Sequence, residues 1–280
     1  MNKINSGLYI VSTPIGNLDD ITLRTLEILK KSDIILCEDT RRSLKLLNYY
    51  NIKKKLISYH KFNEKKEIDK IIKYLNEGKI LSLISDAGTP TLSDPGRLLI
   101  NESIKKNINI CPIPGASAIT ASMSISGFND KFMFYGFLPK TVNELQKVLS
   151  NLVTLNFSLV FFVPGIKINF YLNNFKKYFI GRKILIAREI TKMHETFYRE
   201  TVDSIDLFKS PLKGELTIVI SEKNLKDVKN IGDEEIKKQA IIYLKKYSVK
   251  DVTDLISKKE KISKKKIYEI CLNIKNEKNI

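Results

Sequence analysis

At 280 residues the chain has room for two domains of ordinary size, each with its own core. Its 43% hydrophobic and 28% charged content is that of a folded globular protein rather than a disordered one, and no apolar run approaches the roughly 18 to 20 residues of a membrane span. The 48 Lys and Arg against 31 Asp and Glu leave a formal charge of +17, which favours a polyanionic partner such as nucleic acid. Only seven of the 48 are Arg, however, and a drift of composition towards Lys, Ile and Asn would raise the charge without any binding role. Three scattered cysteines, Cys37, Cys111 and Cys271, offer no disulfide framework or zinc spacing. With His60 and His194 the only histidines, a His-based metal site or a Ser-His triad is disfavoured, and no metal is expected. The opening segment reads as a first strand rather than a signal peptide, so a cytoplasmic protein with no membrane association is expected.

The first part alternates with the rhythm of an α/β domain. "LYIV" (8–11) reads as a strand, "ITLRTLEILKK" (21–31) as a helix, "DIILCED" (33–39) as a strand and "RSLKLLNYY" (42–50) as a helix. "KLISYH" (55–60), a helix over 64–77, "KILSLISD" (79–86), a helix over 97–106 and "INICPI" (108–113) continue the pattern. Strands separated by single helices predict a mostly parallel sheet covered on both faces, with any site at the carboxyl ends of its strands. Those ends read "STPIGN", "EDTRR", "SYHKFN", "SDAGTP" and "PIPGAS", where Gly, Pro and acids collect.

Beyond about residue 130 the strands become richer in aromatics: 131–138, 158–163, 182–189, 194–202 and 214–221, with helices over 142–151 and 166–178. "AREITKMHETFYRE" predicts a hairpin, hence a mixed sheet. From about 223 three short Lys-rich helices follow, with Ser248 and Ser263 as N-caps. The expected architecture is therefore α/β, with an N-terminal domain over 1–120, a second α/β domain over 121–222 and a helical tail over 223–280.

The loop "SDAGTPTLSDPGR" (85–97) is longer and better punctuated than a plain turn requires. It can present backbone N–H groups, an Asp for a hydroxyl and glycines that let a ligand approach closely, although a purely structural loop would use the same residues. Neither it nor "STPIGN" is a Walker sequence or a G-x-G-x-x-G fingerprint, so a nucleoside triphosphate or an ordinary dinucleotide is unsupported. "CEDTRR" puts Glu38, Asp39, Arg41 and Arg42 on the same rim. A carboxylate there could accept a proton, and an arginine could hold a phosphate or a developing alkoxide. The alternative is a structural ion pair between Glu38 and Arg41. Lys140 is a weaker candidate for touching RNA.

"LYIVSTPIGNLDDITLRTLEILKKSDIILCEDTRRS", "LISDAGTPTLSDPG", "PIPGASAITASMSISG", "FYGFLPK", "AREITKMHETF" and "KGELTIVI" together resemble the small-subunit ribosomal RNA methyltransferase I family, within the tetrapyrrole-methylase-like superfamily. The resemblance runs in order over about residues 8–221. It implies a two-domain tetrapyrrole-methylase-like fold, usually a homodimer, with S-adenosylmethionine bound between the domains. It also implies 2′-O-methylation of a cytidine ribose in the decoding region of 16S rRNA, within the small ribosomal subunit. The family's cofactor positions map to Pro14, Ile15 and Gly16, to Asp86, Gly88 and Thr89, and to Ser117 and Ala118; catalytic work would then fall to Glu38, Asp39 and Arg41. One segment departs: where the family shows an aromatic pair followed by Glu-Ser and then His-Arg, this chain has "FFVPGIKI", with Val163, Pro164, Ile166 and Lys167 at those places. Two alternatives stay open, a C-methyltransferase acting on a precorrin-type tetrapyrrole and a non-catalytic RNA-binding or ribosome-assembly factor. The run "KKEKISKKK" (258–266), six Lys and one Glu, reads either as a phosphate-contacting surface or as a solvated helix face.

Overall fold

The computed structural model describes residues 4–223, 233–244, 247–260 and 263–278. The chain divides into two compact units, Met1–Lys223 and Asn224–Ile280. In the first, β1 (Gly7–Val11), α1 (Leu23–Lys31), β2 (Ile34–Cys37), α2 (Thr40–Tyr49), β3 (Lys55–Ser58), α3 (Glu64–Asn76), β4 (Ile80–Ile84), α4 (Arg97–Lys105) and β5 (Ile110–Ile113) alternate as the apolar pattern predicts. All neighbouring strands are parallel, in the order β3-β2-β4-β1-β5.

Central parallel strands are covered on both faces and so read as unbroken apolar runs. In β2 every residue of "IILC" is buried. Leu8, Leu36, Leu81 and Leu83 pack against Ile71 and Leu75 of α3 and Leu99 of α4. Their chain neighbours Tyr9, Val11, Ile35 and Ile84 pack on the opposite face with Ile28 and Leu29 of α1 and Leu47 of α2. The period of two along each strand thus builds two cores from one sheet.

Helix starts explain where the strands stop short of the apolar runs. The Thr22 hydroxyl accepts the Thr25 N–H at 3.0 Å and caps α1, which therefore begins at Leu23, after a 3-10 turn at Leu18–Asp20. Asp39, expected at the end of a strand, instead caps α2 through the Arg41 N–H at 2.9 Å.

The segment after β5 holds an element that the periodicity did not reveal, the short helix α5 (Ala118–Ser124). It is built of small residues and hydroxyls, which carry little amphipathic signal. Then come β6 (Phe132–Phe137), α6 (Val142–Leu152), β7 (Ser158–Pro164), α7 (Ile168–Tyr178), β8 (Lys183–Arg188), β9 (Thr196–Thr201) and β10 (Glu215–Ile220). They form the expected mixed sheet, in the order β6-β7-β10-β8-β9, parallel only between β6 and β7. The β8–β9 hairpin is present. One face carries Phe161, Ile186 and Ile218 with the apolar stripes of α6 and α7; the other carries Val160, Leu185 and Val219 with Ile119 of α5.

The second unit comprises α8 (Asp233–Leu244), α9 (Val249–Glu260) and α10 (Lys264–Lys278). Ser248 and Ser263 cap α9 and α10 as expected, accepting the Asp251 and Lys266 N–H groups at 3.3 and 3.4 Å. Ile236, Val252, Ile256, Ile267 and Cys271 make its core. Of the run 258–266, the side chains of 258–262 lie outside the described residues; Lys264 pairs with Asp254 at 2.7 Å. No helix among the described residues is long and apolar enough to cross a membrane.

Candidate active site

The loops leaving β1, β4 and β5 are tied to one another. The Thr13 N–H donates to the Gly88 carbonyl at 2.9 Å and the Gly88 N–H returns to the Thr13 carbonyl at 3.1 Å, a single antiparallel rung beyond a parallel sheet. The Ser12 and Thr89 hydroxyls lie 2.9 Å apart, and Thr89 Oγ1 donates to the Ala116 carbonyl at 3.5 Å. Gly88 stands at φ +77°, where a side chain would be strained and would come within 3.2 Å of Ile15 Cγ2. The first loop also meets the tip of the β8–β9 hairpin: the Asn17 N–H donates to Thr191 Oγ1 at 3.0 Å. A Cβ on Gly16 would fall 2.5 Å from Lys192 Cγ.

These loops and the mixed sheet enclose a cleft of about 980 Å³, large enough for a nucleoside-sized ligand and part of a second reactant. Pro14, Ile15, Gly16, Asp86, Gly88, Thr89, Ser117 and Ala118 all line it, as does Glu38. Asp39 and Arg41 do not. Arg41 grips Asp39 through two side-chain bonds, Nε to Oδ1 at 3.1 Å and Nη2 to Oδ2 at 2.8 Å, and its side chain is 86% exposed. Those bonds, with the Arg41 N–H, hold the Asp39 carboxyl well below the usual carboxylate range. The Glu38–Arg41 ion pair raised as an alternative therefore gives way to an Asp39–Arg41 pair. Arg42 is the arginine that turns to the cleft, reaching Asp86 Oδ2 at 3.2 Å, while Asp86 Oδ1 accepts the Asp39 N–H at 3.2 Å.

The floor of the cleft is acidic although the chain as a whole is basic. Burial, then the charge of Asp86, pushes the Glu38 carboxyl up. Asp94 is pushed up to about 6, by burial first and then by Glu38, against a hydrogen bond from Ser85; Asp86 and Glu215 add to the rise. Asp94 is the residue that sequence reasoning missed, since "DPG" reads as a helix-launching turn. Its only sequence signal was a second Asp in a loop already singled out; the structure adds that Thr91 and Ser93 beside it stand at φ +72° and +73°. From the second sheet come Glu189 and Lys192, paired at 3.0 Å. Burial pushes the Glu189 carboxyl up, but Lys192 and the Glu215 N–H at 3.1 Å outweigh it and leave it lowered.

The departing segment lies in the same wall. Val163 and Pro164 line the cleft, Val163 packing into the core and Pro164 ending β7. The Gly165 N–H donates to the Gly214 carbonyl at 2.9 Å, and Ile166 points to solvent. Five carboxylates, Glu38, Asp86, Asp94, Glu189 and Glu215, suit a ligand carrying positive charge, and small residues at 16, 88 and 118 let it approach the backbone. This donor set fits S-adenosylmethionine, which bears a sulfonium and an ammonium. Among the described residues no group of His, Cys, Asp and Glu side chains is arranged to hold a metal ion.

The family described as tetrapyrrole (corrin/porphyrin) methylases matches residues 7–206. Ribosomal RNA small subunit methyltransferase I of Mesomycoplasma conjunctivae is 45% identical, over 82% of this chain and 98% of that protein. The protein of that name from Rickettsia prowazekii is 40% identical over 95% and 96%, and that from Neisseria meningitidis serogroup B is 37% identical over 98% and 95%. Among solved structures, the methyltransferase CobJ (TM-score 0.58, 16% identity, 78% of this chain and 94% of that one) shares the fold. So does a uroporphyrin-III C-methyltransferase of Thermus thermophilus in complex with S-adenosyl homocysteine (TM-score 0.53, 13% identity, 76% and 96%). The chain belongs to the tetrapyrrole methylase family and, within it, to the ribosomal RNA small subunit methyltransferase I family.

Proposed function

We propose that this protein transfers the methyl group of S-adenosylmethionine to the ribose 2′-hydroxyl of a cytidine in the decoding region of 16S rRNA. It acts on the small ribosomal subunit in the cytoplasm, as a homodimer, through an N-terminal domain (1–120), a second domain (121–222) and a basic tail (223–280). The observation that carries this reading is an acidic cleft floor set in a strongly basic chain. The floor suits a cationic methyl donor, and the surrounding charge suits a polyanionic acceptor.

When bound, the donor supplies an electrophilic methyl group. Pro14, Ile15, Gly16, Gly88, Thr89, Ser117 and Ala118 offer it a close-fitting backbone surface, and Asp86, braced by Arg42 and the Asp39 N–H, faces its positive charge. A ribose hydroxyl is a weak acid, so its proton needs an acceptor as the methyl arrives. Glu38 and Asp94 are our candidate acceptors, two cleft carboxyls whose proton affinity burial raises, Asp94 to about 6. Asp39 acts by position, capping α2 and holding the guanidinium of Arg41 at the rim for a phosphate.

The test uses purified protein, radiolabelled S-adenosylmethionine and small subunits from a strain lacking the corresponding methyltransferase. Label is expected in a single decoding-region cytidine and is lost with Asp86→Ala, whose donor affinity falls at least tenfold. Donor binding without label in any rRNA would overturn the reading in favour of a tetrapyrrole substrate or a non-catalytic role.

A further inference from the structure

The rim above the acidic floor combines cations with exposed aromatic rings. On α2, Arg42, Lys45 and Tyr49 fall at i, i+3 and i+7, one helical face, and all three line the cleft. Tyr49 is 59% exposed, an unusual state for a ring at the mouth of a cavity. Its position is fixed from behind by Tyr50, edge-on at 4.9 Å, whose hydroxyl donates to the Leu18 carbonyl beyond the first loop.

The turn after β3 repeats the combination. Phe62 is 94% exposed, yet the turn that presents it is well hydrogen-bonded. The Asn63 side chain accepts the His60 N–H at 2.8 Å and donates to the Ser58 carbonyl at 2.9 Å, and the Phe62 N–H donates to His60 Nδ1 at 3.3 Å. His60 meets the Phe62 ring edge-on at 6.1 Å, and Lys61 is exposed beside it. The Tyr59 N–H donates to the Cys37 carbonyl at 2.8 Å, so this turn leaves β3 directly beside Glu38 of the cleft and the start of α2.

The geometry points to this wall, Arg42, Lys45 and Tyr49 with His60, Lys61 and Phe62, as the docking surface for a single-stranded RNA segment. Tyr49 and Phe62 stack unpaired bases flanking the target nucleotide, and the cations hold their phosphates. The inference rests on the rRNA-methyltransferase reading and adds to it the form of RNA that is accepted. A paired base has no open face for an aromatic ring, whereas an unpaired one stacks regardless of its identity. Cations without aromatic rings would take duplex and single strand alike.

Fluorescence anisotropy with a labelled single-stranded oligocytidylate at low salt tests this. Stacking on an aromatic ring is typically worth enough that Phe62→Ala and Tyr49→Ala should each raise Kd about tenfold. Phe62→Tyr and Tyr49→Phe should stay within about twofold of wild type, and a fully paired hairpin of similar length should bind all five proteins alike. Phe62 is almost wholly exposed, so its removal should leave the melting temperature unchanged and separate lost stacking from lost folding. The inference is overturned if both alanine variants bind the oligonucleotide as wild type does, or if wild type does not bind it. Subunit methylation is assayed in parallel: label with unaltered alanine variants sinks this docking surface alone, and oligonucleotide binding without label sinks the methyltransferase reading alone.

Discussion

Replacing Asp94 by Asn keeps the size of the side chain and removes one of the five carboxyl groups that line the cleft. In the folded chain the carboxyl moves from 3.8 to about 6, chiefly through burial. At about 1.4 kcal/mol per pH unit the full displacement is an upper bound of roughly 3 kcal/mol, and because Asp94 is only partly buried, solvent screening leaves about 1 to 2 kcal/mol by which the ionised form destabilises the fold. An acid whose folded-state pKa lies above its unfolded value holds its proton more tightly when folded. Its contribution to stability is therefore complete below about pH 4, is lost as pH rises towards 6, and is absent above. Asn does not titrate, so Asp94→Asn should gain about 1 to 2 kcal/mol at pH 8, where relief of the partly buried charge is full, and little at pH 4. Urea denaturation at the two pH values measures this; with no Trp in the chain, the midpoint is read by circular dichroism. The same change should lower kcat/KM by about a hundredfold or more and abolish the wild-type rise in rate up to about pH 6. A variant less stable than wild type at pH 8, or equally stabilised at both pH values, would refute the argument that burial and neighbouring acids strain this carboxyl. Full activity in the stabilised variant would remove Asp94 from the proton path and leave Glu38.

Gly16→Ala places a Cβ against Lys192 Cγ and 3.0 Å from the Ile190 carbonyl, so the first loop must shift away from the hairpin tip. Donor affinity, followed by calorimetry, should fall about tenfold, an effect of about 1.4 kcal/mol; an unchanged Kd would mean that this contact does not shape the site. Truncation after residue 222 should weaken binding to small subunits and flatten its salt dependence, because Lys-rich segments contribute mainly counterion release. Donor binding should survive the truncation, and an unaltered salt slope would take the tail out of the interface.

The alternation of strands and helices was legible because each central strand is buried on both faces and announces itself as an apolar run. The edges were less clear, since the residues that end strands are also caps: Asp39 and Ser85 carry the hydrogen bonds of the next turn. α5 was invisible because Ala, Ser and Thr give no stripe to detect. In the site, loop chemistry pointed to the residues that line the cleft, Pro14 to Gly16 and Asp86 to Thr89 among them. Spacing in "EDTRR" could not say which arginine turns inward, because adjacent residues at a helix start differ by about a hundred degrees of rotation. That rotation sends Arg41 to solvent beside Asp39 and Arg42 to Asp86. Glu189, Lys192 and Glu215 were beyond reach of local pattern, since only the packing of the second sheet brings them to the first.

The rung between Thr13 and Gly88 bears on how a ligand is met. Two loops that would otherwise sample many conformations are held by reciprocal backbone bonds before anything binds. Their conformational entropy is surrendered when the chain folds, so association need not supply it again. Donor binding at this corner should therefore leave hydrogen exchange at the Thr13 and Gly88 amides nearly unchanged. Any ordering that accompanies turnover then belongs to the arrival of the RNA.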